Sequence, residues 1–128
     1  MVYLTGKEIL LIHSIIIDET GGSHGVRDHH AVLALEQLPR QKFGGQELYK
    51  TIFVKAAVYA RNIIMGHPFV DGNKRTGMTA ASVFLENNGY QVIAEKGEVE
   101  KFALKIVKER LNLEEIAKWF KAHSKKAK

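Results

Sequence analysis

The sequence predicts an all-α domain, a compact bundle of about six helices with a small β-hairpin among them. Three observations lead there. Apolar residues recur at helical spacing through most of the chain. Only two prolines, Pro39 and Pro68, interrupt it. No series of strand-like runs alternates with the helical ones, which argues against the parallel sheet of a Rossmann or P-loop fold. The 128 residues have the size of one domain, read as 1–128.

Each element has its own local signal. Thr5 followed by Glu8 is a capping box for a helix running to about Thr20. Residues 9–17 are apolar nearly all round, the mark of a buried helix. His13 interrupts that run and reads as a core histidine with satisfied nitrogens. Gly21 and Gly22 stop the helix. Asp28 caps a second, shorter helix to about Gln37, ended by Pro39. Gly44-Gly45 marks the tip of a small hairpin. From Leu48 onward, Ile52, Phe53, Ala56, Ala57, Ala60, Ile63 and Ile64 trace a helical face that Gly66 closes. The next helix starts near Gly72 and runs to Asn87, with Met78, Ala81, Phe84 and Leu85 facing inward. Asn88-Gly89 stops it, and 90–94 reads as a short extended piece. A fifth helix carries Val99, Phe102, Ala103, Ile106 and Val107. A sixth is capped by Asn112 with Glu115 at the box position, and Trp119 and Phe120 read as packing residues on it.

Composition narrows the function classes. Hydrophobic residues are 45% and charged residues 26%, values of an ordinary folded domain that exclude disorder and collagen-like structure. The longest apolar run, 9–17, falls well short of the roughly 20 residues of a membrane span. The N-terminus lacks the basic region and cleavage site of a secretory signal. Absence of cysteine excludes disulfides, thiolate zinc sites and a cysteine nucleophile. A cytoplasmic location is therefore expected. The net charge is +5, and residues 1–94 hold 9 basic and 8 acidic side chains. The basic excess belongs to the C-terminal end, where 121–128 reads as a solvated lysine tail rather than a nucleic-acid site. His29 and His30 are adjacent, so on a helix they diverge and make a poor metal pair.

The chemistry concentrates in Gly66-His67-Pro68-Phe69-Val70-Asp71-Gly72-Asn73-Lys74-Arg75-Thr76-Gly77, between two long helical patterns. His67 sits on the loop, with a side chain suited to general-base work near neutrality. Gly72 stands at the start of the following helix, whose N–H groups and dipole favour an anion, and Lys74 and Arg75 add two positive charges. Asp71 fits two compatible roles, a helix N-cap and a carboxylate for Mg²⁺ on a nucleotide. Phe69 is expected to pack inward and fix the loop. The string is not a Walker A motif, because the position due to be Gly is Asp71 and no strand precedes it.

The string from His67 to Thr76 resembles the signature of the Fic/Doc superfamily, and Lys74 resembles its Doc (death-on-curing toxin) branch, where Fic chains usually have Gly. Thr20-Gly21-Gly22-Ser23-His24-Gly25-Val26-Arg27-Asp28 is similar to the family's N-terminal segment, and Phe43-Gly44-Gly45-Gln46-Glu47-Leu48-Tyr49 and Phe84-Leu85-Glu86-Asn87-Asn88-Gly89 are similar to Doc-type chains. The resemblance covers about residues 3–120. It implies the all-α Fic core, with His67 as the base that activates a target hydroxyl and Asp71 as the Mg²⁺ ligand. It also implies Gly72 and Asn73 as the anion-binding turn, Lys74 and Arg75 as phosphate contacts, and Phe43, Gly44, Gly45 and Gln46 as the flap holding an extended target chain. Doc-type proteins are kinases that act with ATP and Mg²⁺ on a threonine of elongation factor Tu and stop translation; Fic proteins mostly transfer AMP. Inhibition would come from a separate antitoxin chain.

The chain departs from the family pattern at two points. Met78 stands where Fic signatures often have a second Arg, which disfavours AMP transfer, and Gly72 stands where Doc chains often have Ala. Ser82-Val83-Phe84-Leu85-Glu86-Asn87 matches the family's inhibitory motif, but it continues the signature helix and points away along its axis, so it reads as coincidence. A non-catalytic binding domain is the alternative of another class.

Overall fold

A computed structural model describes residues 1–127. Its helices, in chain order, are α1 (Gly6–Thr20), α2 (His29–Ala34), α3 (Ile52–Gly66), α4 (Asn73–Asn87), α5 (Lys96–Glu109) and α6 (Leu113–Ala122). The strands are short: β1 (Lys42–Phe43), β2 (Gln46–Glu47), β3 (Tyr90–Val92) and β4 (Ser124–Lys126). The all-α expectation of six helices and one small hairpin therefore holds.

The centre is the pair α3 and α4, consecutive in the chain, which bury small residues: Ala56, Ala57 and Ala60 on α3, Ala80 and Ala81 on α4. Small side chains let the two backbones approach. At Gly77 the approach is closest, since a Cβ there would lie 2.7 Å from Ile64 Cγ1 and 3.0 Å from the Ala60 carbonyl oxygen. On the outside of this pair, α6 packs on α3 and α1 packs on α4. Aromatic contacts fill the layers between. Tyr59 lies tilted on Phe84 with ring centroids 5.1 Å apart, and its hydroxyl accepts the Leu4 N–H at 3.0 Å. Trp119 stacks on Phe102 at 4.5 Å, and Phe120 is fully buried, so both pack as expected.

Caps obey the sequence signals. Thr5–Glu8 and Asn112–Glu115 form reciprocal capping boxes, and Asp28 Oδ1 accepts the Ala31 N–H. Boundaries shift where a competing bond wins. The second helix ends at Ala34 rather than near Gln37, and Pro39 lies inside a separate 3₁₀ turn, Leu38–Arg40. A proline near the start of a helical turn loses no hydrogen bond. The third helix begins at Ile52 under a Thr51 cap, because the Leu48 N–H instead closes the hairpin on the Gln41 carbonyl. In the segment 121–127 the lysines Lys121, Lys125 and Lys126 are exposed. Lys121 lies in α6, and Ser124, Lys125 and Lys126 pair with Val92, Gln91 and Tyr90; Lys128 lies outside the described residues. Among the described residues, no helix is long and apolar enough to cross a membrane.

Candidate active site

Helix α3 ends at Gly66, and the left-handed cap is not that glycine but His67, at φ 47° and ψ 55°. Its N–H closes on the Ile63 carbonyl at 3.2 Å, and the residue is exposed. A β-carbon in this region is strained, so the conformation persists because neighbours enforce it.

Those neighbours come from three segments. Pro68 and Phe69 are buried, and Phe69 stacks face to face on His13 of α1, centroids 3.8 Å apart. The His13 Nε2–H donates to the Asp71 carbonyl at 2.8 Å, so the core histidine is satisfied as expected, by the loop itself. Asn73 clamps the loop from within: its Oδ1 accepts the Phe69 N–H at 3.0 Å and its Nδ2 donates to the Phe69 carbonyl at 2.8 Å. The 22–28 segment runs alongside. The Arg27 and Asp28 N–H groups both donate to the Pro68 carbonyl, and the Val70 N–H donates to the Gly25 carbonyl at 2.9 Å. Gly25 is obligatory for this approach, because a Cβ there would meet Val70 Cγ2 at 2.8 Å.

Asp71 does not cap α4, contrary to one of its two sequence readings. The N-cap is Gly72, at φ 78°, and the Asp71 Oδ2 accepts the Ser23 N–H at 2.7 Å. Among the described residues no side chain caps α4. The first turn of α4 lines a cleft of about 620 Å³ between α4 and α5. Gly72, Asn73, Lys74 and Arg75 line that cleft together with Lys96 and Glu19. Lys74 is exposed, whereas the Arg75 Nη2 is held by Glu100 Oε1 of α5 at 3.1 Å. Met78, where a second Arg was absent from the signature, is 2% exposed and forms part of the cleft wall.

The structure thus gathers Gly72, Asn73, Lys74 and Arg75 in one cleft. His67 and Asp71 belong to the adjoining loop but not to the cleft lining. The hairpin of Phe43, Gly44, Gly45 and Gln46 stands apart and is exposed throughout. Of the two residues expected to form an anion-binding turn, Asn73 has its side chain committed to Phe69. Glu86 lies 13 residues along α4 from Asn73, about 20 Å at helical rise, at the end opposite the cleft. Sequence reasoning missed Ser23, Lys96 and Glu100. Only Ser23 had a signal, its place in the Gly-rich segment; Glu100 reaches Arg75 across 25 residues and has none.

Among the described residues, no three His, Asp or Glu side chains gather as a metal cage. A single carboxylate at Asp71, beside an open helix N-terminus, fits instead a Mg²⁺ that arrives on nucleotide phosphates.

Comparison with known proteins agrees with this arrangement. Residues 3–85 match the model of the Fic/DOC family. The chain is 36% identical over 93 residues to a protein named toxin Doc from Mycolicibacterium smegmatis, covering 73% of this chain and 69% of that one. It is 30% identical over 92 residues to a protein named protein kinase doc from Escherichia phage P1, covering 72% of each. With the matched span enclosing the whole His67-to-Arg75 loop, all of α3 and all but the last two residues of α4, the chain belongs to the Fic/Doc family, on its Doc branch.

Proposed function

We propose that this protein is a Doc-type toxin of a toxin–antitoxin system, a protein kinase that moves the γ-phosphoryl group of ATP to a Ser or Thr hydroxyl. Elongation factor Tu is the proposed target, which would block translation in the cytoplasm, and a cognate antitoxin chain is the proposed inhibitor. The observation that carries this reading is the pairing of an uncapped α4 N-terminus with an exposed His67 across one rigid loop. The names of the two relatives support it.

In this reading the triphosphate lies in the α4–α5 cleft. The first-turn N–H groups of α4 and the Lys74 ammonium receive its charge, and Arg75 joins them on leaving Glu100. Mg²⁺ bound with the nucleotide would neutralise phosphate charge, with Asp71 as its protein ligand. The His67 imidazole takes the proton of the target hydroxyl as its oxygen bonds to the γ-phosphorus. The bridging bond to the β-phosphate breaks, and ADP leaves with that electron pair. Stacking, clamping and backbone pairing hold the loop before substrate arrives, so little ordering is left to the reaction step.

The test is incubation with elongation factor Tu and Mg-ATP labelled at the γ- or the α-phosphate, with His67→Ala as control. Transfer from γ alone supports the kinase. Transfer from α makes the protein an adenylyltransferase. No transfer with Mg-ATP bound means another target, and no binding at all means a non-catalytic domain.

A further inference from the structure

The β1–β2 hairpin is joined to the body in an unusual way. All residues from Lys42 to Glu47 are exposed, and nothing lies within 4 Å of where a Cβ would sit at Gly44 or Gly45. The ribbon pairs only Lys42 with Glu47 and Phe43 with Gln46. A two-stranded ribbon this short does not hold its own shape in water. Its orientation must come from its feet.

Both feet meet one ammonium group. Lys55 of α3 is fully buried, and its Nζ donates to the Pro39 carbonyl at 3.0 Å and to Glu47 Oε1 at 3.0 Å. Pro39 precedes β1 and Glu47 ends β2, so a single cation ties the entering and the leaving chain. The Tyr3 ring centroid lies 5.4 Å from the same Nζ. Among the described residues, Glu47–Lys55 is the one side-chain hydrogen bond or ion pair between the hairpin and the helices. A buried charge is costly, and an apolar side chain of similar volume often stabilises as well or better. Packing alone does not account for a lysine here. His67 caps the C-terminus of the helix that carries Lys55, 12 residues on, about 18 Å at helical rise.

We propose that Lys55 is a positioning residue: it fixes the hairpin relative to α3 and so sets where a target chain laid along the hairpin stands with respect to His67. This rests on the kinase reading above. Phe43, 83% exposed at the ribbon, and the unpaired strand edges are what such a chain would meet.

The experiment compares the wild-type chain with Glu47→Gln and Lys55→Met, using elongation factor Tu as protein substrate. Glu47→Gln leaves the buried lysine with its Pro39 partner and guards against a Lys55 variant that does not fold. Initial rates are taken while each substrate is varied, and amide hydrogen exchange is followed at the hairpin and in α4. Both variants are expected to raise the KM for the protein substrate by roughly tenfold, with kcat and the KM for Mg-ATP within about twofold. Exchange should speed up at the hairpin and not in α4. An unchanged protein KM in folded Glu47→Gln overturns the positioning role, as does an equal loss in both KM values. If wild-type protein transfers no label to elongation factor Tu, that target fails and the positioning role for it falls as well; faster hairpin exchange would then show that the tie alone is real.

Discussion

The His13 Nε2 lies 2.8 Å from the Asp71 carbonyl oxygen while the same imidazole stacks on Phe69 at 3.8 Å. One buried side chain of α1 therefore holds two points of the loop that carries His67. His13→Ala removes the stack and leaves the part-buried Asp71 carbonyl without its donor. A loss of about 2–4 kcal/mol is expected in urea unfolding. Transfer activity should fall more than the folded fraction does, which rate measurements under conditions of complete folding will show.

His67 is expected to be required for chemistry and not for nucleotide binding. His67→Ala should lower transfer about 10²–10⁴-fold, the span of a lost general base. Calorimetric titration with Mg-ATP should give a Kd close to wild type. Substitution by Asn, which tolerates the left-handed backbone better than Ala, should lose activity equally with less strain.

Glu100 holds the Arg75 guanidinium at 3.1 Å, and in the kinase reading it competes there with a phosphate. Exposed pairs are weak, so Glu100→Gln should tighten Mg-ATP by only about two- to fivefold. The gain should shrink as salt is added. Weaker binding in Glu100→Gln would mean that the glutamate holds Arg75 in its working position.

At Gly77 the α3–α4 contact leaves no room for a methyl group. Gly77→Ala is expected to cost about 1–3 kcal/mol despite the better helix propensity of Ala. The double variant Gly77→Ala, Ile64→Ala should show less than the sum of the two single losses, because the second change removes the clashing branch.

Burial pushes the Tyr59 hydroxyl up to about 12, against a smaller opposing effect of its hydrogen bond from Leu4. The neutral form is favoured in the fold, so stability contributed by this group is complete below pH about 10 and is lost as pH rises toward 12. Thermal melts should decline across that window. Tyr59→Phe should be less stable at pH 7, with the Leu4 N–H unsatisfied, and should show a shallower alkaline decline.

Much of this protein was legible one element at a time. Thr5–Glu8 and Asn112–Glu115 are neighbours in sequence, and a cap is a local hydrogen bond, so both boxes formed as read. Gly44-Gly45 turned the hairpin because both residues take positive φ, at 59° and 81°. The helical faces buried Met78, Ala81, Phe84 and Leu85 for the same reason: periodicity is a property of one segment. The chemistry-bearing string from His67 to Arg75 was likewise contiguous, and its residue types alone pointed to phosphate and proton transfer.

What the tertiary structure decided depends on partners far away in the chain. His13 meets Asp71 across 58 residues, Arg75 meets Glu100 across 25, and Tyr90–Val92 finds its strand partner in Ser124–Lys126. Asp71 turned from helix cap to acceptor of the Ser23 N–H because Gly72 took the cap position. Lys55 is not among the apolar positions that trace its helix face in the sequence, yet it is fully buried at the foot of the hairpin. The sequence alone determined the helices, most of their caps and the candidate reactive groups, because these follow from hydrogen bonds, apolar faces and residue types within a short stretch of chain. Which of those groups are held, paired or left open to a substrate was decided only when packing brought distant segments together, since a side chain's partner is a matter of position in space and not of order along the chain.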